Sequence, residues 1–221
     1  MAGKLILYVD HVSQPSRALS LLCRAIRAPH QEIYINLMKG EHMKKDYMAV
    51  NPFRKIPAAK DGDTLILESC AALRFIASKY DSSDLWYPKN LDIRCKVDEY
   101  LDWQHLNTRA HGVGYFRNLV LLPALKKTKP DMQLVNLHKK ELKRVQNDFS
   151  KYFLGSKPFI SGDHISIADL LASCEFEQPI AGGFEFSETI LNFIDRVRAE
   201  VGPDYDKIHA SIRETAKQMM Q

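Results

Sequence analysis

The chain has 221 residues, 45% of them hydrophobic and 26% charged, with a formal net charge of +4. That length buries a large core in one big domain or two small ones, and that balance excludes a disordered or membrane-spanning chain. The basic runs "LKKTKP" and "LHKKELKR" are interleaved with apolar residues at helical spacing, so they read as solvated helix faces rather than a nucleic-acid surface.

In chain order, "LILYV" predicts a strand, too short for a signal-peptide core or a bilayer span. A cytoplasmic protein with no membrane partner is therefore expected. Residues 14–28 read as a helix, "HQEIYIN" as a strand and "EHMKKDYMAV" as a short helix. "IPAAKD" and "TLILES" read as two strands about a "DGD" turn, and "SCAALRFIASKY" as a closing helix. The order β-α-β-α-β-β-α predicts an α/β layer structure over residues 1–81. "DSSDLWYPKNLD" then interrupts the pattern, which makes residues 82–92 a linker. From residue 93 to 221 the strand signal is gone. One long or kinked helix should run from "DIRCKVDEY" to "VLLPAL", followed by helices at about 131–154, 166–179, 187–200 and 205–219, giving an all-α bundle. Four scattered cysteines, Cys23, Cys70, Cys95 and Cys174, lack any ligand spacing, so free thiols with no disulfide and no metal site are expected.

Several residues invite a chemical reading beside a structural one. Ser13, before Gln14 and Pro15, has the form of a helix cap, and taken alone the cap reading leads. It also stands at the carboxyl end of a first strand, where open α/β sheets bind ligands and helix ends favour anions. Pro57 before a strand is a turn feature or a cis proline exposing the backbone of the residue before it. Glu68 and Ser69 close a strand and open a helix on the same sheet edge. Free helix amides there suit a carboxylate and Glu68 an ammonium, though capping explains Ser69 equally well. Ser166 and Asp169 read simply as a capping box. His42 and Lys55 are unremarkable singly.

Together, "VSQPSRA", "KGEHMKKDYMAVNPFRKIPAAKDGD", "LESCAALRFIASKY" and "DLWYP" resemble cytosolic glutathione transferases, and Ser-Gln-Pro-Ser-Arg followed by Lys-Gly-x-His most resembles the theta class. The likeness extends into the second half through "YLDWQH" and "KPFISGDHISIADLLA". It implies a thioredoxin-like first domain, an all-helical second domain, a homodimer, and conjugation of glutathione to hydrophobic electrophiles in detoxification. Glutathione is then a co-substrate and no cofactor is implied. Close variants are glutathione-dependent dehalogenation and peroxide reduction, and the alternative is a noncatalytic binding or scaffold module.

By this resemblance Ser13 is the catalytic serine that hydrogen-bonds the glutathione sulfur, with Ser16 as the fallback. A thiol near pKa 8.5 is mostly protonated at neutral pH, and lowering it by roughly two units requires about 2.7 kcal/mol of thiolate stabilisation. A charge-assisted hydrogen bond plus helix-end potential has that size. Glu68 and Ser69 correspond to the pair that takes the γ-glutamyl end, Ile56 before Pro57 to the cysteinyl contact, and His42 and Lys55 to the glycyl carboxylate. His105, Arg109, Ala110 and Phe116 are expected beside the electrophile. Compared with theta relatives the chain stops soon after "RETAKQMMQ", so a more open pocket is expected, and "LNTRAHGVGYF" departs from the theta pattern where the electrophile is chosen.

Overall fold

A computed structural model describes residues 5–221, so the first four residues of the expected first domain lie outside it. Leu5–Val9 forms β1, with Leu5, Leu7 and Val9 buried and the residues between them half-buried, the alternation expected of a strand covered more fully on one face. A crossover through α1 (Gln14–Ala25) returns the chain to β2 (His30–Tyr34), which pairs parallel to β1 in the register Leu5 with His30. After a 3₁₀ turn at Glu41–Met43 and the short α2 (Lys45–Val50), β3 (Ala58–Asp61) pairs antiparallel to β1 and β4 (Thr64–Ile66) antiparallel to β3. The sheet order is β2-β1-β3-β4, and α3 (Ser69–Tyr80) closes the unit. This is a thioredoxin-like sheet layer, as the resemblance implies.

Helix α1 ends three residues before the predicted boundary. Arg27 takes a left-handed φ of 54° and the amide of Ala28 bonds back to the Cys23 carbonyl at 2.8 Å. A non-glycine residue in that conformation gives no warning in the sequence. The segment predicted as one short helix from Glu41 divides instead at Lys44, whose extended backbone separates the 3₁₀ turn from α2.

The helical half comprises α4 (Leu91–Trp103), α5 (Thr108–Phe116), α6 (Leu122–Lys126), α7 (Met132–Asp148), α8 (Ile167–Ala181), α9 (Glu188–Val201) and α10 (Asp204–Met219). The expected long helix is the kinked alternative. A 3₁₀ turn at Gln104–Leu106 and a distorted Asn107 (φ −120°, ψ −94°) separate α4 from α5, and a π-helical stretch at Arg117–Leu121 precedes α6. Another π-helical turn, Phe149–Leu154, extends α7 to its predicted end.

Helix α8 is the central post of the second half. It starts with the predicted capping box, in which Asp169 accepts from the Ser166 amide at 2.9 Å and hydroxyl at 2.7 Å, and its residues Ile167 to Pro179 are all buried. Tyr100, Phe149, Phe153, Phe176 and Phe193 meet edge-on about it, with ring centroids 4.9–5.7 Å apart for the four pairs that link them most directly. The core is continuous from β1 through α1 to α8 and α9. A Cβ at Gly112 would come within 3.3 Å of the Glu175 carbonyl oxygen, so its absence lets α5 lie close against α8.

Candidate active site

A cleft of about 610 Å3 opens at the carboxyl end of β1, where the sheet layer meets α5. Nine of the eleven residues assigned to the expected site line it: Ser13, His42, Lys55, Ile56, Pro57, Glu68, Ser69, His105 and Arg109. Arg54 and Arg117 line it too, so four permanent cations face one carboxylate, Glu68, and the cleft favours an anionic guest.

Ser13 ends a tight turn whose other members are braced on all sides. Its amide donates to the Asp10 carbonyl at 2.9 Å. The Asp10 carboxylate in turn accepts from the Val12 amide at 3.0 Å, the Leu37 amide at 2.8 Å and the Tyr34 hydroxyl at 2.6 Å. Beneath the turn the fully buried Arg17 donates to the carbonyls of His11 (2.8 Å) and Val12 (3.2 Å) and, on the opposite side, to the Cys174 carbonyl (2.9 Å) and Gln178 Oε1 (3.0 Å) of α8.

The cap reading of Ser13 needs correction. Ser13 has the extended backbone of an N-cap residue, yet its side chain makes no capping bond. Pro15, in the helix's first turn, has no N–H to donate one. The hydroxyl instead reaches across the cleft floor to the Ile56 carbonyl at a long 3.5 Å. A weakly held hydroxyl at the mouth of a helix is free to turn towards a ligand. Ser16, the fallback, is fully buried and its hydroxyl accepts from the Asp10 amide at 3.4 Å, so it faces the core.

The opposite wall is the loop from Asn51 to Pro57. The Tyr47 hydroxyl and Asn51 Nδ2 each donate to the Lys55 carbonyl at 2.7 Å, and the Ile56–Pro57 peptide is cis. That settles the two readings of Pro57 in favour of the cis form. His42 stands in the 3₁₀ turn beside this wall, with Nδ1 buried and without a partner.

At the far end Glu68 is the N-cap of α3 and Ser69 its first residue, and neither side chain caps the helix. The capping explanation of Ser69 therefore falls. Its buried hydroxyl lies 3.5 Å from both Nη1 and Nη2 of Arg109, whose Nε donates to the buried Glu175 at 2.8 Å. Burial disfavours the Arg109 charge, but Glu175 overrides it and raises the pKa, so the guanidinium stays cationic. Burial and then Arg109 push the His105 pKa down, which leaves a neutral imidazole 3.6 Å from the Cys70 sulfur.

Two expected electrophile residues are elsewhere. Ala110 does not line the cleft, and Phe116 is buried against Val120, Ile212 and Ala216. The face that does line it advances in four-residue steps, His105, Arg109, Val113 and Arg117. That periodicity was present in the sequence and includes Val113 and Arg117, whereas Ala110 and Phe116 fall off it.

The chain is similar to known proteins over most of its length. Residues 5–78 match the glutathione S-transferase N-terminal domain family. Human glutathione S-transferase theta-1 is 36% identical over 201 residues, covering 90% of this chain and 84% of that protein. Mouse glutathione S-transferase theta-3 is 37% identical over 89% of this chain and 83% of its own length. Among solved structures, a human theta-class glutathione transferase in complex with the glutathione conjugate of 1-menaphthyl sulfate superposes with a TM-score of 0.92 at 31% identity, covering 98% of this chain and 90% of that one. The chain belongs to the glutathione S-transferase family, and its likeness is to the theta class.

Proposed function

We propose that in this glutathione S-transferase Ser13 holds the sulfur of bound glutathione as a thiolate, which then attacks the electrophilic carbon of a hydrophobic second substrate. The observation that carries the role is the Ser13 hydroxyl, released from capping and aimed into a cationic cleft at a helix N-terminus. The thiol proton passes to solvent, the Ser13 O–H donates to the sulfur anion, the S–C bond forms and the leaving group departs with its electron pair.

The remaining assignments follow the charges of the tripeptide. Glu68 takes the γ-glutamyl ammonium, and Ser69 with the free amides of α3 takes its carboxylate. The Ile56 backbone pairs with the cysteinyl residue. His42 and Lys55 hold the glycyl carboxylate, with Arg54 adding positive potential from the same wall. His105, Val113 and Arg117 face the second substrate, whereas Arg109, also expected there, stands beside Ser69 at the γ-glutamyl end.

Two further points are proposed on the same footing. The boundary at residues 82–92 is supported by the gap between the end of α3 at Tyr80 and the start of α4 at Leu91. A homodimer is supported by large apolar side chains left exposed at Phe53, Leu65, Leu91 and Ile93. Sedimentation velocity tests the dimer directly.

The test of the serine role is Ser13→Ala assayed with glutathione and a chromogenic aryl halide, beside the ultraviolet thiolate band of bound glutathione as pH is varied. Moving the thiol back up by about two units, towards 8.5, cuts the thiolate fraction at pH 7, and with it turnover, about 25-fold. Glutathione affinity should stay within a few-fold, because the other contacts remain. An unshifted thiolate band in Ser13→Ala would assign the stabilisation to another group.

A further inference from the structure

The net charge of this chain is carried by a single segment. Between Lys126 and Arg144 lie seven Lys or Arg and two Asp or Glu, a local excess of +5 against +4 for the whole protein. The rest of the molecule is close to neutral, so the basic character is a local feature of the end of α6, the following loop and α7.

Within that segment the lysines are free. Arg144 is engaged by Glu141 at 2.9 Å and Asp148 at 2.7 Å. Lysine ion pairs among the described residues involve Lys44, Lys79, Lys96 and Lys207. Lys126, Lys127, Lys129, Lys139, Lys140 and Lys143 therefore stand exposed without carboxylate partners. Helix α7 buries Val135, Leu142 and Val145 beneath it. On its outer side Met132, Asn136, Lys139, Lys140 and Lys143 follow at three- and four-residue steps and share one strip. The apolar residues beside these lysines are unusually open: Leu125 is 54% exposed, Met132 52% and Leu137 51%.

We infer that this face, from Leu125 through the outer strip of α7, docks on membrane surfaces rich in anionic phospholipid headgroups. Unpaired lysines in a row supply the charge complementarity, and exposed Leu and Met side chains among them enter the headgroup boundary, as in helices that lie on a bilayer. The absence of any Phe, Tyr or Trp between Arg117 and Asp148, with the one arginine of α7 already paired, disfavours a nucleic acid, which calls for aromatic stacking and free arginines. The docking is peripheral; among the described residues no helix is long and apolar enough to cross a membrane. None of these residues lines the cleft, so the docked protein keeps its site open to solutes.

The experiment is co-sedimentation of the full chain with vesicles of phosphatidylcholine alone and of phosphatidylcholine mixed with phosphatidylserine, at low and near-physiological salt. Binding is expected on the mixed vesicles alone and should weaken as salt rises. Each lysine near the surface is worth about a fivefold factor in partitioning, so Lys139→Gln with Lys140→Gln and Lys143→Gln should lose about a hundredfold. Leu125→Ser with Leu137→Ser should lose binding while leaving every charge in place. A control carrying Lys89→Gln, Lys151→Gln and Lys217→Gln, exposed lysines elsewhere, should lose little. Glutathione conjugation in solution reports folding and should be unchanged in every variant. Equal loss in the control, equal binding to phosphatidylcholine alone, or binding to duplex DNA without binding to the mixed vesicles would each overturn the inference.

Discussion

Nε of Arg109 on α5 donates to Oε1 of Glu175 on α8 at 2.8 Å, and the same guanidinium lies 3.5 Å from the Ser69 hydroxyl at the head of α3. A helix of the second half thus reaches, through one arginine, the end of the cleft proposed for the γ-glutamyl group. Gly112 makes this possible by letting α5 approach α8 one turn further on. Glu175 has no exposed surface, while Arg109 opens to the cleft.

Glu175→Gln keeps an oxygen for Arg109 Nε but removes the charge that fixes it. Affinity for glutathione should fall about tenfold, near 1.4 kcal/mol, with turnover at saturating glutathione little changed. Glu175→Ala leaves a largely buried guanidinium without its counter-charge and should cost about 3 kcal/mol of stability. Calorimetric titration of glutathione and urea unfolding measure the two effects. Unchanged affinity in Glu175→Gln would show that Arg109 keeps its place without the carboxylate.

For Ser13 the two readings predict different stabilities. Loss of a capping hydroxyl costs about 1 kcal/mol. A hydroxyl that makes one long bond to the Ile56 carbonyl should cost no more than about 0.5 kcal/mol. Ser13→Ala should therefore unfold at nearly the wild-type urea midpoint while its activity collapses. Ser166→Ala, which breaks a real capping box, should lower stability by about 1–2 kcal/mol with little direct effect on the cleft.

What the sequence made legible was local chemistry, and what it hid was direction. The "LILYV" strand, the Ser166–Asp169 box and the Ser69 helix start are written in spans of a few residues, and the structure has them where expected. The side-chain role of Ser13 was hidden because a cap is recognised by residue type, whereas the bond depends on where the hydroxyl points, and Pro15 removes one of the two amides that could donate to it. Phe116 was misplaced for a similar reason. Its position in the segment is right, but the helix turns it towards Ile212 and Ala216, partners about a hundred residues later in the chain. Arg17 closes the Ser-Gln-Pro-Ser-Arg motif, but its burial was not legible there, since an arginine in the first turns of a helix usually lies in solvent.

Arg17 yields the next prediction. Its four hydrogen bonds tie the turn before Ser13 to α8, and burial lowers its pKa although Cys174, Glu177 and Glu175 support the charge. Arg17→Met has comparable length but leaves the carbonyls of His11, Val12 and Cys174 without that donor. It should cost about 3 kcal/mol or more of stability. Arg17→Lys can serve fewer of those acceptors and should fold while letting the turn shift. Its signature is a drop in kcat and a raised thiol pKa in bound glutathione, with KM for glutathione nearly constant, because His42, Lys55 and Ser69 are untouched. A parallel rise in KM would mean that the whole cleft has moved.

The pH dependence of stability should be set in part by Glu32, which lies 3.5 Å from His11 Nε2 and 3.6 Å from His30 Nε2. Burial opposes its charge, yet the neighbouring His11, His30 and Ser20 side chains hold the Glu32 carboxyl well below the usual carboxylate range. The nearby Glu32 carboxylate raises the His30 pKa against the effect of burial, helped by the Ala28 carbonyl 2.8 Å from Nδ1. For the histidine, a folded pKa above the unfolded value near 6.5 gives stabilisation that is full below that value and lost as pH rises through the folded one. For the carboxylate, a depressed pKa gives stabilisation present above about pH 4.3 and lost on acidification below it. The pair therefore favours mildly acidic solution, and the melting temperature should fall between about pH 6 and pH 8. His30→Gln should flatten that slope while keeping a hydrogen-bond donor for Glu32. Thermal unfolding of both proteins across that range checks it, and an equal slope in the two would remove His30 as its origin.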